Sequence, residues 1–287
     1  MYQASLILEG GAMRGIFTAG VLDYLMEQDC WFSHVIGVSI GSCNATDYIS
    51  KQIGRTRDCM ALKDDSLRYI TTNPVKWLKK REVFDMDMIF DKYPNQFFPF
   101  DYETYFSSPI TCEIVTTNCV TGQPEYMDDR QDRKRLMSVI SASCSMPYVN
   151  HTVEVDGVPY FDGGVADPMP ILHSMKLGFR KNVIVSTRYR GYRKKPHRWT
   201  KLMNNILYAK YPGFIKTMNE RTQRYNKIMD LVDKWEMEGN VFVIHPETAE
   251  VSRTEQDYDK LMAFYDHGCG IMKERFGDLV RFLEKPV

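Results

Sequence analysis

The sequence has no net charge: 37 Lys and Arg residues balance 37 Asp and Glu. The molecule as a whole therefore has no electrostatic reason to seek nucleic acid, and no nucleic-acid partner is expected. It also has no run of eighteen apolar residues, so no segment reads as a membrane span. The stretch from Met1 to Glu9 has no basic region ahead of its short apolar run, unlike a secretory signal. No Cys-x-x-Cys or Cys-x-x-His spacing occurs. Cysteines at 30, 43, 59, 112, 119, 144 and 269 are odd in number and scattered, against both a disulfide framework and a zinc site. Reduced thiols, a cytoplasmic location, no metal and no organic cofactor are the expectation, with peripheral contact at a membrane left open.

One local absence is informative. No acidic residue stands between Asp167 and Glu220, while twelve Lys and Arg residues do. The densest part, Arg188 to Arg198, interleaves cations with Tyr189, Tyr192 and His197 and is followed by Trp199. That composition suits anionic lipid head groups and equally RNA or a solvated loop, and charge runs are most often solvated loops.

What the sequence does contain is 44% hydrophobic residues over 287 positions, enough for a large core. Ser5 to Leu8 reads as a buried strand and is followed by a glycine-rich turn, Gly10-Gly11-Ala12-Met13-Arg14-Gly15, and a helix. His34 to Val38 is a second strand, with a helix from about Ile40 to Lys51. Two strand-then-helix units predict an α/β fold with a mostly parallel central sheet flanked by helices. Further strands are expected at Ile110 to Asn118, Glu125 to Met127, Asn182 to Ser186 and Val241 to Ile244, and a hairpin around Asp156-Gly157. Helical patterns run over Asp132 to Ser143, Ile171 to Leu177, Trp199 to Glu236 and Glu255 to Leu283. A core over 1–190, with a cap-like insertion at 57–106, and a mostly helical extension over 191–287 packed on it describe this organisation.

The second strand ends in Gly37-Val38-Ser39-Ile40-Gly41, a Gly-x-Ser-x-Gly sequence. A serine raised on a sharp strand-to-helix turn needs small neighbours, because a side chain at either flanking position would strike the turned backbone. Ser39 is thus the candidate nucleophile. Acyl transfer also needs a base and donors for the developing oxyanion. Backbone N–H groups of Gly10, Gly11 and Ala12, at a helix start beside the same sheet edge, are suited to that task, with the Arg14 charge beside them. A nucleotide phosphate loop would require Gly-Lys-Ser/Thr or Gly-x-Gly-x-x-Gly, and neither is present.

The base has two solutions. A Ser-His-Asp triad would draw on His34, His151, His173, His197, His245 or His267, of which His245, just past a strand, is the best placed. The other is Asp162, at a strand end and followed by Gly163 and Gly164, whose small size lets the carboxylate approach Ser39. An aspartate near its ordinary value of about 3.9 is a weak base, so this role requires an apolar surround or a hydrogen bond that tightens in the transition state.

The glycine turn at 10 to 15, the elbow at 37 to 41 and Asp162-Gly163-Gly164 resemble, in order and spacing, the three signature blocks of the patatin-like phospholipases, bacterial branch. The likeness covers roughly residues 4 to 186. It implies a three-layer fold, a Ser39–Asp162 dyad without histidine, an oxyanion hole at Gly10, Gly11 and Ala12 with Arg14 as its basic residue, and hydrolysis of lipid acyl esters. Gly15, Gly37, Gly41, Gly163 and Gly164 match the motif glycines. Ala12 stands where the family's turn usually has a third glycine, which a right-handed backbone tolerates and a positive φ would strain. Glu9 stands where many members carry Asp or Ser.

A lipid hydrolase needs an apolar place for acyl chains. The Phe- and Met-rich span from Trp77 to Phe106 is the candidate, with Phe97 and Phe98 as test positions, and core packing as the alternative. An acyltransferase on the same dyad, or a silent lipid-binding regulatory protein on the same fold, would share all of these residues.

Overall fold

The computed structural model describes residues 1–71, 82–196, 200–248 and 250–286. Trp77 of the aromatic span, and His197, Arg198 and Trp199 at the end of the basic stretch, lie outside the described residues.

Among the described residues eight strands form one sheet: β1 (Tyr2–Leu8), β2 (Phe32–Val38), β3 (Thr111–Asn118), β4 (Pro124–Met127), β5 (Val153–Val155), β6 (Val158–Asp162), β7 (Asn182–Val185) and β8 (Val241–Ile244). Their order is β5-β6-β3-β2-β1-β7-β8, with β4 paired to β3. The ladder β3-β2-β1-β7-β8 is parallel throughout. The hairpin β5–β6 enters antiparallel, and β4 pairs β3 in the same sense.

Side-chain alternation builds the three layers. Leu6, Leu8, Val183, Val185 and Ile244 point to one face, where they pack in a single core with α1 (Gly15–Glu27), α2 (Ile40–Ile49) and the long Tyr258–Glu284 helix. Ile7, Ile184 and Val243, one residue out of phase, point to the other and pack against Tyr225, Ile228, Met229 and Val232 of the Pro212–Met237 helix. The wholly apolar runs of β7 and β8 follow from burial on both faces.

The C-terminal third is more than a helical extension. Strand β8 joins the sheet as a parallel neighbour of β7, so a boundary at 190 would cut one continuous sheet. The helical pattern beyond 199 also divides in two, Thr200–Leu207 and Pro212–Met237, because Pro212 occupies the first helical turn, where its missing N–H is harmless. Within the aromatic span, Met88–Phe97 is a π-helix that carries Pro94 inside it. Among the described residues no helix is long and apolar enough to cross a membrane.

Register brings the distant candidate residues together. Val38, the last residue of β2, pairs with Val115 of β3. The next residue of β3, Thr116, pairs on its other side with Asp162 at the end of β6. Ser39 and Asp162 therefore leave the sheet at the same level, two strands apart, or roughly 10 Å of backbone separation that side chains can close from above the sheet. The Asp156-Gly157 turn sets this register: both residues have positive φ, 52° and 78°, as a two-residue hairpin turn requires.

Candidate active site

Ser39 sits between β2 and α2 with φ 57° and ψ −128°, a conformation that costs a non-glycine residue about 1–3 kcal/mol and persists only when surroundings hold it. Those surroundings are specific. Its carbonyl accepts from the Ser42 backbone N–H (2.7 Å) and the Ser42 hydroxyl (2.6 Å). Its own N–H donates to Ser143 Oγ (2.9 Å), which in turn donates to the Val115 carbonyl (2.7 Å). The flanking glycines are required by close approach: a Cβ at Gly37 would lie 2.5 Å from the Gly41 carbonyl oxygen, and one at Gly41 would lie 2.3 Å from that of Leu8.

The turn after β1 abuts the same serine. A Cβ at Gly10 would come within 2.8 Å of Ser39 Cβ, so the turn can approach the serine only as glycine. Among the described residues, the backbone N–H groups of Gly10, Gly11 and Ala12 have no acceptor, and all three residues line a cavity with Ser39. Ala12 has φ 51°, so the position does call for glycine, and alanine there is strained.

Asp162 lines the same cavity and is 7% exposed. Burial pushes its carboxyl above the ordinary range, against the lowering influence of the neighbouring Ser39 hydroxyl and of the bond from the Gly164 N–H. The Gly164 bond measures 2.8 Å. A carboxyl lifted by burial is a stronger base than an ordinary aspartate, and it lines the same cavity as Ser39. Gly163 packs against the Val115 carbonyl, and Gly15 against Ile40, so these motif glycines serve packing around the site.

Two cavities meet at Ser39. One, of about 870 Å³ counted to its mouth, is apolar and includes Met13, Cys43, Phe90, Met137, Ile140 and Met146 in its wall. The other, of about 800 Å³, holds the glycine turn, Asp162, Lys194, Arg221, Tyr225 and Arg253. From the aromatic span, Phe84, Met86, Ile89, Phe90, Tyr93, Pro94 and Phe100 line the apolar cavity. Phe97 and Phe98 do not: Phe97 is 45% exposed, and Phe98 packs edge-on to Tyr93 with its carbonyl held by Arg55.

Other candidate residues find partners away from the serine. The Arg14 guanidinium pairs with Glu250 at 3.1 Å, and Arg14 is not among the residues that line either cavity. No histidine lines either cavity among the described residues. His245 is buried with Nδ1 3.1 Å from the Arg188 carbonyl and Nε2 3.8 Å from Glu236, and His34 and His173 share Glu113. Within the basic stretch three arginines are ion-paired: Arg188 with Glu250, Arg190 with Glu236, and Arg193 with Asp230 and Asp233. The acids missing locally arrive from later in the chain.

Several residues have roles that the sequence alone does not show. Glu9 is 4% exposed; it accepts from the Ser186 hydroxyl (2.7 Å) and Thr187 N–H (2.8 Å) through Oε2, and from the Tyr225 hydroxyl (2.9 Å) through Oε1. It thereby ties the ends of β1 and β7 to the Pro212–Met237 helix behind the glycine turn. Ser143, Arg221 and Arg253 had no local signal, since each reaches the site from a distant segment. Among the described residues no group of three or more His, Cys, Asp or Glu side chains is placed to hold a metal ion.

The chain is similar to several known proteins. The chain is 26% identical over 254 residues to the uncharacterized protein YjjU of Escherichia coli (strain K12), covering 84% of this chain and 68% of the other. It is 24% identical over 253 residues to the probable lipid hydrolase 463L of Invertebrate iridescent virus 6, covering 79% and 86%. Among solved structures, VipD from Legionella pneumophila aligns with a TM-score of 0.48 and 14% identity, over 97% of this chain and 67% of that one. A family profile for a domain of unknown function, DUF6363, matches residues 211–284. The profile for the patatin-like phospholipases matches residues 6–174, more than half of the 287 residues and spanning the turn, the elbow and Asp162. The chain belongs to the patatin-like phospholipase family.

Proposed function

We propose that this protein hydrolyses acyl esters of lipids through Ser39 and Asp162. The observation that carries the reading is the position of Ser39 where an apolar cavity meets a polar one, beside a buried carboxyl and three free backbone N–H groups. An acyl chain in the first cavity and a head group in the second would place the ester carbonyl over the serine. Membership of a lipolytic family and a relative named a probable lipid hydrolase support the same substrate class.

In this mechanism Ser39 Oγ forms a bond to the ester carbonyl carbon while its proton passes to the Asp162 carboxylate. The carbonyl oxygen, now negative, is held by the N–H groups of Gly10, Gly11 and Ala12. Collapse breaks the ester C–O bond, and the Asp162 proton leaves with the alcohol. Water then attacks the acyl-serine, gives a proton to Asp162 and releases the fatty acid, after which the proton returns to Ser39 Oγ. Each preorganised oxyanion donor is worth about 10²–10³ in rate.

A fluorophosphonate probe tests the proposal. It is expected to form one adduct, on Ser39, in folded protein, and Ser39→Ala is expected to lose both the adduct and lipid ester turnover. Folded protein that stays unlabelled, or turnover that survives in Ser39→Ala, would refute the reading.

A further inference from the structure

The polar cavity has a property that ester hydrolysis does not use. Lys194, from the segment after β7, Arg221, from the Pro212–Met237 helix, and Arg253, from the segment ahead of the last helix, all line it. Three separate parts of the chain thus converge on one space with the same sign of charge. Among the described residues none of the three forms an ion pair, whereas nearby Arg188, Arg190 and Arg193 each do. The patatin-like match covers none of these positions, since it ends at residue 174.

Unpaired cations crowded around one cavity carry a cost. Burial lowers the Lys194 ammonium to about 7, and the Arg221 and Arg253 charges push it the same way, against Glu9 and Asp162. Arg221 is likewise lowered by burial, with Asp162 opposing and Arg253 adding to the shift. Glu9 offsets part of this charge across the cavity, but its carboxylate oxygens are engaged by Ser186, Thr187 and Tyr225, and among the described residues it forms no ion pair with the three cations. Lys194 Nζ instead rests 3.8 Å from the Tyr225 ring centre. An arrangement of this kind is relieved by an anion entering the cavity, and arginine is the residue suited to phosphate oxygens.

We propose that Lys194, Arg221 and Arg253 form a subsite for the phosphate of a phospholipid head group, and that it selects acidic phospholipids over those whose head group ends in a quaternary ammonium. The inference rests on Ser39 being the nucleophile and adds the substrate class. A phosphate among the three cations leaves the glycerol ester at the mouth of the apolar cavity, beside Ser39. A choline group carried into the same space would add a fourth positive charge to three. Of the basic stretch at 188–198, Lys194 is the one described residue that lines the cavity.

Two arms test this. In the first, kcat/KM is measured for phosphatidic acid and phosphatidylcholine of identical acyl chains in neutral detergent micelles, and for a short uncharged ester, in wild type, Arg253→Gln and Arg221→Gln. The wild-type protein is expected to prefer phosphatidic acid by about tenfold or more, and each variant to lose about tenfold or more on that lipid relative to the uncharged ester measured on the same variant. Arg253 is exposed, so Arg253→Gln keeps the test open if Arg221→Gln does not fold. Equal use of both lipids, or a ratio unmoved by Arg253→Gln, would overturn the proposal.

The second arm does not depend on catalysis. In Ser39→Ala, calorimetric titration with dihexanoyl phosphatidic acid and with inorganic phosphate is expected to show the lipid binding more tightly, and both weakening in the Ser39→Ala, Arg253→Gln double variant. Inorganic phosphate binding as tightly as the lipid would overturn the lipid assignment, and unaltered binding in the double variant would overturn the subsite. This arm succeeding while Ser39 remains unlabelled by the probe would separate a phosphate-lipid binding site from the catalytic reading.

Discussion

Acyl-chain length is the variable on which the two-cavity geometry makes its sharpest quantitative demand. If the chain enters the apolar cavity walled by Cys43, Phe90, Met137 and Ile140, each added methylene leaves water for a hydrocarbon surround. Burial of one methylene is worth about 0.8 kcal/mol, which is about fourfold in kcat/KM. A p-nitrophenyl ester series from acetate to hexanoate should therefore rise by about two hundredfold, then level off when the cavity is full. Met137 lines the cavity from the Arg133–Cys144 helix, and Met137→Trp would place an indole in that volume. The variant should reach its plateau at a shorter chain than wild type. Purified protein, a fixed detergent concentration below micelle formation and initial rates by absorbance are sufficient. A flat series in wild type, or an unmoved plateau in Met137→Trp, would refute the assignment of this cavity to the acyl chain.

Other consequences follow from particular contacts. Asp162 must be charged to accept the serine proton, and burial raises its carboxyl, so the acidic limb of kcat/KM against pH should fall above the ordinary aspartate value of about 3.9. Arg221 favours the charged form, so Arg221→Gln should move that limb to still higher pH; a limb that stays in place would contradict the coupling. Glu9→Gln replaces one of two acceptor oxygens that serve the Ser186, Thr187 and Tyr225 donors by an N–H₂, and should cost about 1–3 kcal/mol in denaturant unfolding, with a shift below about 0.5 kcal/mol counting against the tie. Ser143→Ala removes the acceptor for the Ser39 N–H and should destabilise by about 1–2 kcal/mol while lowering the rate of probe labelling; wild-type labelling would mean that the elbow holds its strain without it.

The elements that carry the site were legible in the sequence for identifiable reasons. A strand that runs directly into a glycine-flanked serine has few alternatives, and Asp156-Gly157 names its turn type locally, so β2, the elbow and the β5–β6 hairpin follow from neighbouring residues. What could not be read was long-range pairing. The basic stretch looks exposed because its partners, Asp230, Asp233, Glu236 and Glu250, lie at least 37 residues away for Arg193 and further for Arg188. The partner of Arg14 is hidden for the same reason, since nothing near it in sequence announces Glu250. Phe97 and Phe98 were singled out by composition, whereas direction decides, and within the π-helix Phe90 and Tyr93 face the cavity while Phe97 faces out. Arg221 and Arg253 belong to helix and loop segments with no motif, and only the fold gathers them around Asp162.

The central claim is that Asp162, and no histidine, takes the proton from Ser39. Single-turnover acylation by a chromogenic ester, measured side by side on folded Asp162→Asn and His245→Ala, tests it most directly. Asp162→Asn is expected to acylate about 10²–10⁴-fold more slowly than wild type, the range of a lost general base, and His245→Ala to stay within about threefold of it. Fast acylation in Asp162→Asn together with collapse in His245→Ala would contradict the dyad.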